Sequence, residues 1–344
     1  MGDMTIRLAG YSRRIAWRPW RLAGLSLLTC VVIALVSLAC GRVWLPPGEW
    51  LAGLKRGEGA IWLIVTQLRL PRVVLAAEVG GALALSGWIL QQVLRNPLAS
   101  PDTLGLSGGA SAAVVAYLAL AAGQGGAWVR PVAAIAGALL VVASVYALAL
   151  RGGRVTPYRL ILIGVGMGAL AGAVVTLMLI VGRAELASSA YVWLVGSVYG
   201  ANRADAVTLG GLLALVLLFG VPLIRYALLA PLDDALAAGI GVSVPASRLA
   251  LIGVASLLAG LAIAWGGAMA FVGLFAPHLA RRWVAVSGSA QALAAVAIGA
   301  SVVMSADLVG RTLFLPLDLP AGIFVAAVGA PFFIGLLIRE TRTS

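Results

Sequence analysis

Long apolar runs, separated by short polar stretches, dominate the pattern of the chain. A helix of about 20 apolar residues spans a bilayer, and ten runs come close to that length. The ten runs are 22–42, 70–94, 104–122, 128–150, 158–182, 206–229, 245–264, 268–285, 289–310 and 320–338. Pro277 interrupts the eighth run, and segment 185–200 is too short to span, so it predicts a half-helix or an interfacial piece. The pattern therefore predicts an all-α polytopic membrane protein with about ten transmembrane helices.

The composition agrees with this class of protein. Of the 344 residues, 62% are hydrophobic and 10% are charged, whereas a soluble globular protein has about 25% charged residues. A water-soluble enzyme and an intrinsically disordered chain are therefore excluded. The polar interruptions are too short to form a soluble domain, so we expect a single transmembrane domain over residues 1–344.

The basic residues predict how the chain is oriented in the membrane. The formal net charge is +12, and the basic residues lie between apolar runs, which is typical of a membrane protein rather than of a nucleic-acid-binding protein. Five arginines precede the first run and predict a cytoplasmic N-terminal segment at 1–21. When the loops alternate sides from there, fifteen basic residues lie on the inner side and nine on the outer side. Both termini are therefore expected in the cytoplasm.

Several kinds of chemistry are missing from the sequence. It has no Gly-rich phosphate loop with its lysine, so we do not expect this chain to bind ATP in the usual way. A single histidine, His278, excludes a metal site built from histidines. A proton-coupled carrier places several ionisable groups in series across the bilayer, whereas this chain has mainly two acids within or at the edge of its predicted spans, Glu78 and Asp307. We therefore expect an apolar, ion-uncoupled path, no cofactor or metal in this chain, and energy supplied by another protein.

Four motifs, in this order along the chain, carry a resemblance to a known family. They are LRLPRVVLAAEVGGALALSGWILQQVLRNPLASPDTLGLSGGA at 68–110, FVGLFAPHLARR at 271–282, ADLVGR at 306–311 and DLPAGIFVAAVGAPFF at 318–333. The chain resembles the iron-chelate and cobalamin permeases of ABC importers (FecCD-like) over about 55–340. The resemblance implies a type II ABC importer permease fold in the bacterial inner membrane. It also implies four kinds of partner: a second permease subunit, identical or related; two ATPase subunits that bind ATP and Mg; a periplasmic substrate-binding protein; and membrane lipid.

Three arginines are candidates for docking the binding protein. Arg69 and Arg72 lie at the outer start of the second run, and Arg311 lies at an outer turn. The family docks its binding protein through glutamates that meet permease arginines at these motif positions, and such charge pairs set register and association rate. The alternative is that the arginines extend to lipid headgroups. Asp307 stands four residues before Arg311, which predicts a pair at i,i+4 spacing.

The largest inner loop is the candidate for coupling to the ATPase. The resemblance implies that residues 230–248 form a cytoplasmic coupling loop of two short helices, with Asp233, Asp234, Ala235 and Gly239 as its marked positions. Both acids are expected near a helix N-terminus, where the helix dipole favours a negative charge. The alternative is that they only cap the helix.

Two inner turns and one buried acid complete the candidate site. In similar permeases the turns at Asn96 and Leu98 and at Thr156 narrow the path at its cytoplasmic end, while the alternative is an ordinary turn before or after a proline. Glu78 departs from similar chains, which are usually apolar there. A charge at mid-span is costly and is usually functional, so we treat Glu78 as a pathway candidate. For His278, a structural hydrogen bond is a better interpretation than an iron ligand.

These observations predict a permease subunit, not an enzyme, that moves an iron chelate from the periplasm to the cytoplasm. The expected substrate is a ferric siderophore, because the segment DDALAAGIGVSVPASRL and the tail LLIRETRTS resemble ferric-siderophore permeases. Haem and cobalamin stay open as substrates. A proton-coupled secondary carrier and a structural membrane scaffold are the rival classes.

Overall fold

The structure is a computed structural model that describes residues 3–8, 11–41, 43–121, 126, 128–152, 155–182, 184–228, 234–284 and 288–341. Its α-helices are α1 (Trp17–Ala39), α2 (Pro47–Arg56), α3 (Ala60–Leu63), α4 (Leu70–Val93), α5 (Leu106–Ala121), α6 (Val129–Ala149), α7 (Pro157–Val181), α8 (Ala184–Val195), α9 (Arg203–Ala227), α10 (Asp234–Gly239), α11 (Val244–Gly266), α12 (Val272–Trp283), α13 (Ser289–Thr312) and α14 (Ala321–Thr341). A π-helical turn at Ile64–Arg69 joins α3 to α4, and a short 3₁₀ helix at Asp102–Leu104 precedes α5.

A described helix overlaps each of the ten predicted runs. Seven are long and apolar enough to cross a membrane, namely α1, the continuous helix Ala60–Val93, α6, α7, α9, α11 and α13. Two shorter apolar helices, α5 and α14, match two more runs, whereas α12 has 12 residues and covers only part of the eighth run, 268–285. The predicted half-helix within 185–200 is α8. The prediction of an all-helical polytopic membrane fold is confirmed.

The second span begins earlier than the apolar pattern predicts. The prediction starts at residue 70, but the helix runs without a break from Ala60 through the π-helical turn into α4. Gln67 and Arg69 interrupt the apolar run in the sequence, so the pattern did not predict the part of the helix before residue 70. Arg69 is nevertheless buried, because its side chain turns toward the end of α1.

A short β-hairpin precedes the first helix and was not predicted. Strand β1 (Asp3–Leu8) pairs antiparallel with β2 (Tyr11–Ala16), in a register that matches Asp3 with Ala16 and Leu8 with Tyr11. Residues Asp3–Leu8 alternate strictly between polar and apolar types, which is a strand signal, but the segment was interpreted only through its arginines. It occupies most of the N-terminal segment at 1–21, whose cytoplasmic location stays a prediction.

Helix α4 is the central helix of the bundle, and most of its residues are buried. Two pairs of glycines bring its backbone against neighbouring helices. Gly80 faces Gly299 of α13, and Gly87 faces Gly273 of α12, so that a Cβ at Gly80 or Gly87 would overlap the carbonyl group of the facing glycine. Small residues of this kind let membrane helices approach closely.

Replacing Gly80 with alanine should therefore lower the free energy of unfolding by about 1–3 kcal/mol, because the backbone of α13 must move to admit the methyl group. Gly253 of α11 supplies a matched control, since a Cβ there meets nothing within 4 Å. Thermal unfolding of the two purified variants in detergent checks this expectation. Equal midpoints for Gly80→Ala and Gly253→Ala would contradict the close packing of α4 on α13.

The segment after α4 folds back into the bundle. A Cβ on Gly273, at the start of α12, would lie 2.7 Å from the Cδ atom of Pro101, so residue 101 lies against α12. Gly87 also contacts Gly273, and it lies six residues, or about 9 Å, before the end of α4. Ser107 donates a hydrogen bond to the carboxylate of Asp102. The chain between residues 95 and 105 therefore returns alongside α4 before α5 begins.

Candidate functional site

Charged side chains gather at both ends of α4. Arg72 lies near its start and Arg95 lies just past its end, so the two positions are separated by 23 residues, or about 35 Å along a helix. We call the group of Arg69, Arg72, Asp307, Arg311 and Asp318 the Arg72 cluster. The group at the opposite end, formed by Arg95, Asp234 and Arg248, is the Asp234 cluster.

Arg72 holds two carboxylates at once. Its Nε atom donates to Oδ1 of Asp307 at 2.9 Å, and its two Nη atoms donate to the two carboxylate oxygens of Asp318 at 2.9 and 2.7 Å. The Arg72 and Asp307 side chains are 12% and 3% exposed. The ring of Tyr199 lies over the guanidinium carbon, with its centroid 5.6 Å away. The side chain of Arg72 thus joins the start of α4 to α13 and to the segment before α14.

Arg69 binds backbone carbonyl groups at the end of α1. Its Nη1 atom donates to the carbonyls of Leu38 and Ala39 at 2.7 and 2.8 Å, and its Nη2 atom donates to that of Val43 at 2.6 Å. The last four carbonyl groups of an α-helix have no partner within the helix. Arg69 therefore supplies donors that the end of α1 lacks.

Arg311 occupies the same end of the molecule. Its Nε atom lies 3.5 Å from Oδ2 of Asp307, which is the i,i+4 pair that the sequence predicts. One Nη atom donates to the carbonyl of Ser37 in α1. The side chains of both Arg311 and Asp307 are almost fully buried. Asp307 consequently contacts two guanidinium groups, one from α4 and one from its own helix.

The Asp234 cluster lies at the other end of the bundle. Oδ1 of Asp234, the first residue of α10, is 2.6 Å from Nη2 of Arg95, and Oδ2 is 3.4 Å from Nη2 of Arg248. Arg248 also donates from Nη1 to the carbonyl of Val155 at 3.4 Å. The Asp234 cluster therefore connects the end of α4, the start of α10, the start of α11 and the turn before α7.

The predicted gate residues lie next to this cluster. The side-chain oxygen of Asn96 accepts a hydrogen bond from the backbone N–H of Leu98 at 2.8 Å. Thr156 is exposed and precedes the first residue of α7, and its carbonyl accepts from the N–H of Leu160 at 3.2 Å. The structure thus places both predicted turns at the end of the molecule that carries α10. Whether they narrow a path stays a prediction.

Of the predicted coupling residues, the structure describes three. Asp234 begins α10 and Gly239 ends it, with Ala235 at the second position of the helix. Asp233 lies outside the described residues. Leu236 and Ile240, four residues apart, are 63% and 64% exposed, whereas Ala237 is buried against the bundle. Helix α10 and the residue that follows it therefore present an apolar surface to their surroundings.

Glu78 lies on the face of α4 that meets α9. One of its carboxylate oxygens, Oε2, is buried and has no hydrogen-bond partner among the described residues. A Cβ on Gly210 of α9 would lie 2.6 Å from the other carboxylate oxygen, so the glycine makes room for the carboxylate. Glu78 borders a cleft of about 460 Å³ that Thr66 and Arg203 also line. A role in a transport path stays a prediction.

His278 packs within the bundle. Its ring meets the ring of Phe332 in α14 edge-on, with centroids 5.6 Å apart. Among the described residues, no group of three or more His, Cys, Asp or Glu side chains is arranged to hold a metal ion. This ring contact is structural, and the structural hydrogen bond expected for His278 stays a prediction.

Comparison with known proteins identifies the family. The model of the FecCD transport family matches residues 28–339. The chain belongs to the FecCD transport family. It is 53% identical to the achromobactin transport system permease protein CbrC of Dickeya dadantii, over 97% of this chain and 96% of that protein. It is 36% identical to the ferric enterobactin transport system permease protein FepG of Escherichia coli, over 91% of this chain and 94% of that protein.

A solved structure shares the fold of this FecCD chain. It is described as an inward-facing conformation of a metal-chelate type ABC transporter, and it matches with a TM-score of 0.79 and 27% sequence identity. The match covers 93% of this chain and 99% of that one. The resemblance to ABC importer permeases, the polytopic fold and the nature of the chain as a transport subunit are confirmed.

The FecCD fold brings the three predicted docking arginines together at one end, as the sequence implies. Their described contacts, however, lie within the chain: Arg69 binds carbonyl groups, while Arg72 and Arg311 bind carboxylates. These contacts give each arginine a structural role, of which the sequence predicted only the pair of Arg311 with Asp307. Docking of a binding protein on them stays a prediction.

Three charged residues of the two clusters were not recognised in the sequence. They are Arg95, Arg248 and Asp318, each of which lies inside a quoted motif. The available signal was the scarcity of charge: only 12 acidic residues are present, and acidic side chains are seldom fully buried unless they are paired. The partners are far apart in the sequence, so spacing could not have matched them.

Proposed function

We propose that this chain is the transmembrane permease subunit of an ATP-driven ABC importer that moves a ferric siderophore from the periplasm to the cytoplasm. The observation that carries the proposal is the 53% identity, over 97% of the chain, to a permease of an achromobactin transport system. The 36% identity to a permease of a ferric enterobactin system supports the same class of substrate. ATP-dependent uptake of the ferric chelate into vesicles that hold the assembled importer tests it.

The importer needs partners that this chain does not contain. We propose a second permease subunit, two ATPase subunits that bind ATP and Mg, and a periplasmic substrate-binding protein, all assembled in the bacterial inner membrane. The permease chain itself holds no cofactor and has both termini in the cytoplasm. The absence of a phosphate-binding loop from the sequence supports an ATPase on separate chains.

The apolar surface of α10 supports the proposed contact with the ATPase. An isolated exposed leucine needs no explanation, but Leu236 and Ile240 lie one helical turn apart on a loop that also carries the Asp234 cluster. Leu236 lies on α10 and Ile240 directly follows it, and exposed apolar side chains one turn apart fit a groove on a partner protein. We propose that α10 is the part of residues 230–248 that contacts the ATPase.

The charge of the Arg72 cluster supports docking of the binding protein at the opposite end. The cluster holds three arginines and two carboxylates, and because Arg69 pairs with neither carboxylate in the described ion pairs, one positive charge is in excess. A carboxylate of a binding protein would meet that excess charge, and such pairs act mainly on association rate and register. Arg72 is the most exposed of the three arginine side chains. It is therefore the first candidate for direct contact.

A further inference from the structure

The carboxylate of Asp234 divides its two oxygens between two guanidinium groups. Oδ1 meets Arg95, just past the end of α4, and Oδ2 meets Arg248, near the start of α11. The two arginines are 153 residues apart in the sequence and come together on this one acid. Asp234 is thus the residue through which α10 contacts two different helices at once.

Arg95 occupies a backbone conformation that side chains rarely adopt. Its φ angle is +48°, in the left-handed region, where a helix usually ends on glycine. The N–H of Asn96 donates to the carbonyl of Gln91 at 3.3 Å, and that of Arg95 donates to the carbonyl of Gln92 at 3.2 Å. This pair of hydrogen bonds is the glycine-type helix ending known as the Schellman motif. A glycine would adopt this φ angle without strain, but it has no side chain that could bind Asp234.

The second connection runs from Asp234 through Arg248 to the turn before α7. Arg248 donates to the carbonyl of Val155 at 3.4 Å, and Val155 immediately precedes Thr156. The Arg248 side chain is 16% exposed, so it lies largely within the bundle. The single carboxylate of Asp234 is therefore linked to the turn of Asn96 and Leu98 on one side and to the turn of Thr156 on the other.

These contacts join separate elements but contribute little to the stability of the fold. Asp234 and Arg95 are 47% and 42% exposed, and an ion pair at such exposure contributes little to stability because water screens it. The pair instead fixes the position of α10 relative to the end of α4. A cavity of about 50 Å³, lined in part by Tyr226 and Ser247, lies beside the pair.

We propose that Asp234 is a positioning residue that ties α10 to both turns, so that a displacement of α10 moves residues 95–98 and 155–156 together. The inference rests on the proposed function, in which the ATPase contacts α10. It goes further by naming the side chains through which that contact reaches the two turns. It assigns Arg95 and Arg248 to the same connection.

Replacing Arg95 with glycine is the most informative variant, because it removes the ion pair and relieves the backbone strain together. In the assembled importer we expect Arg95→Gly to keep the wild-type melting temperature or to raise it, and to hydrolyse ATP within twofold of the wild-type rate. Ferric achromobactin moved per ATP hydrolysed should fall at least fivefold. Asp234→Ala should lower the same ratio, and Asp234→Glu, which keeps the charge, should restore most of it.

Asp205 provides the matched control, since it is an acid in the first turn of α9 and contacts only Asn202 in the described hydrogen bonds. Asp205→Ala should leave the chelate-per-ATP ratio unchanged. A purely structural role for Arg95 would change the melting temperature and not the ratio. Wild-type ratios for both Arg95→Gly and Asp234→Ala would overturn the inference.

A distance measurement tests the connection without relying on transport. With Cys30 and Cys40 replaced by alanine, spin labels are attached through Tyr158→Cys and Ala238→Cys, two exposed positions. We expect one narrow distance distribution in the otherwise wild-type chain, with and without ATP, and a broad distribution after Asp234→Ala. An unchanged distribution in Asp234→Ala would overturn the inference even if the importer transports. Failure of uptake with the expected change in distances would instead count against the proposed function alone.

Discussion

Replacing Arg72 with alanine should lower the free energy of unfolding by about 3–5 kcal/mol, the cost of removing one partner from a buried ion pair. The reason is the environment of Asp307, whose side chain is 3% exposed and which faces Arg72 and Arg311. Without Arg72, Asp307 would keep only Arg311 as a cationic partner, and Asp318 would lose its bidentate contact. Thermal unfolding of the purified chain in detergent measures the loss.

Two further variants separate the contribution of the ion pair from that of the arginine side chain. Arg72→Met combined with Asp318→Asn removes Arg72 together with its bidentate acid and leaves the pair of Asp307 and Arg311 in place, so it should recover part of the lost stability. Arg203→Ala removes an exposed arginine at the start of α9 and should have little effect. If Arg72→Ala unfolds at the wild-type temperature but no longer binds the binding protein, Arg72 acts in docking and the structural role assigned to it is wrong.

Replacing both Leu236 and Ile240 with aspartate should abolish association with the ATPase subunits. Burial of two aliphatic side chains at an interface contributes roughly 3 kcal/mol or more, which corresponds to about a hundredfold in affinity. Two added carboxylates would also have to lose their water on binding. Copurification of the ATPase with the tagged permease measures the association.

A matched control lies at the opposite end of the bundle, near the Arg72 cluster. Leu313 and Leu317 are also four residues apart, and they are 72% and 65% exposed. Aspartate at both of these positions should leave ATPase copurification at the wild-type level. Equal loss in the two double variants, or wild-type copurification with the Leu236 and Ile240 variant, would remove α10 from the proposed contact.

Much of the fold could be predicted from the sequence, because in a bilayer the length and apolar character of a segment determine whether it spans. The start of α6, for example, was predicted at 128 and lies at Val129, and the start of α13 was predicted correctly at Ser289. The predictions were poor where charge interrupts an apolar helix. The first part of the second span was missed because Arg69 is charged. Its guanidinium is accommodated by carbonyl groups of α1, and those contacts exist only in the folded chain.

The candidate site could be located from the sequence but its contacts could not be predicted. The motifs placed the arginines at one end and the loop 230–248 at the other, yet the partner of Arg72 was assumed to be another protein. Its two carboxylates lie 235 and 246 residues away in the same chain. The left-handed conformation of Arg95 also has no signal in the sequence, because glycine, the residue that would mark it, is absent there.

Uptake into vesicles tests the central proposal most directly. The permease is reconstituted with the ATPase and the binding protein encoded nearest to its gene, and radiolabelled ferric achromobactin is supplied with the binding protein. We expect accumulation that requires ATP hydrolysis and that persists when the pH gradient is collapsed. Uptake driven by a pH gradient without the ATPase, or transport of haem or cobalamin with none of the ferric siderophore, would contradict the proposal.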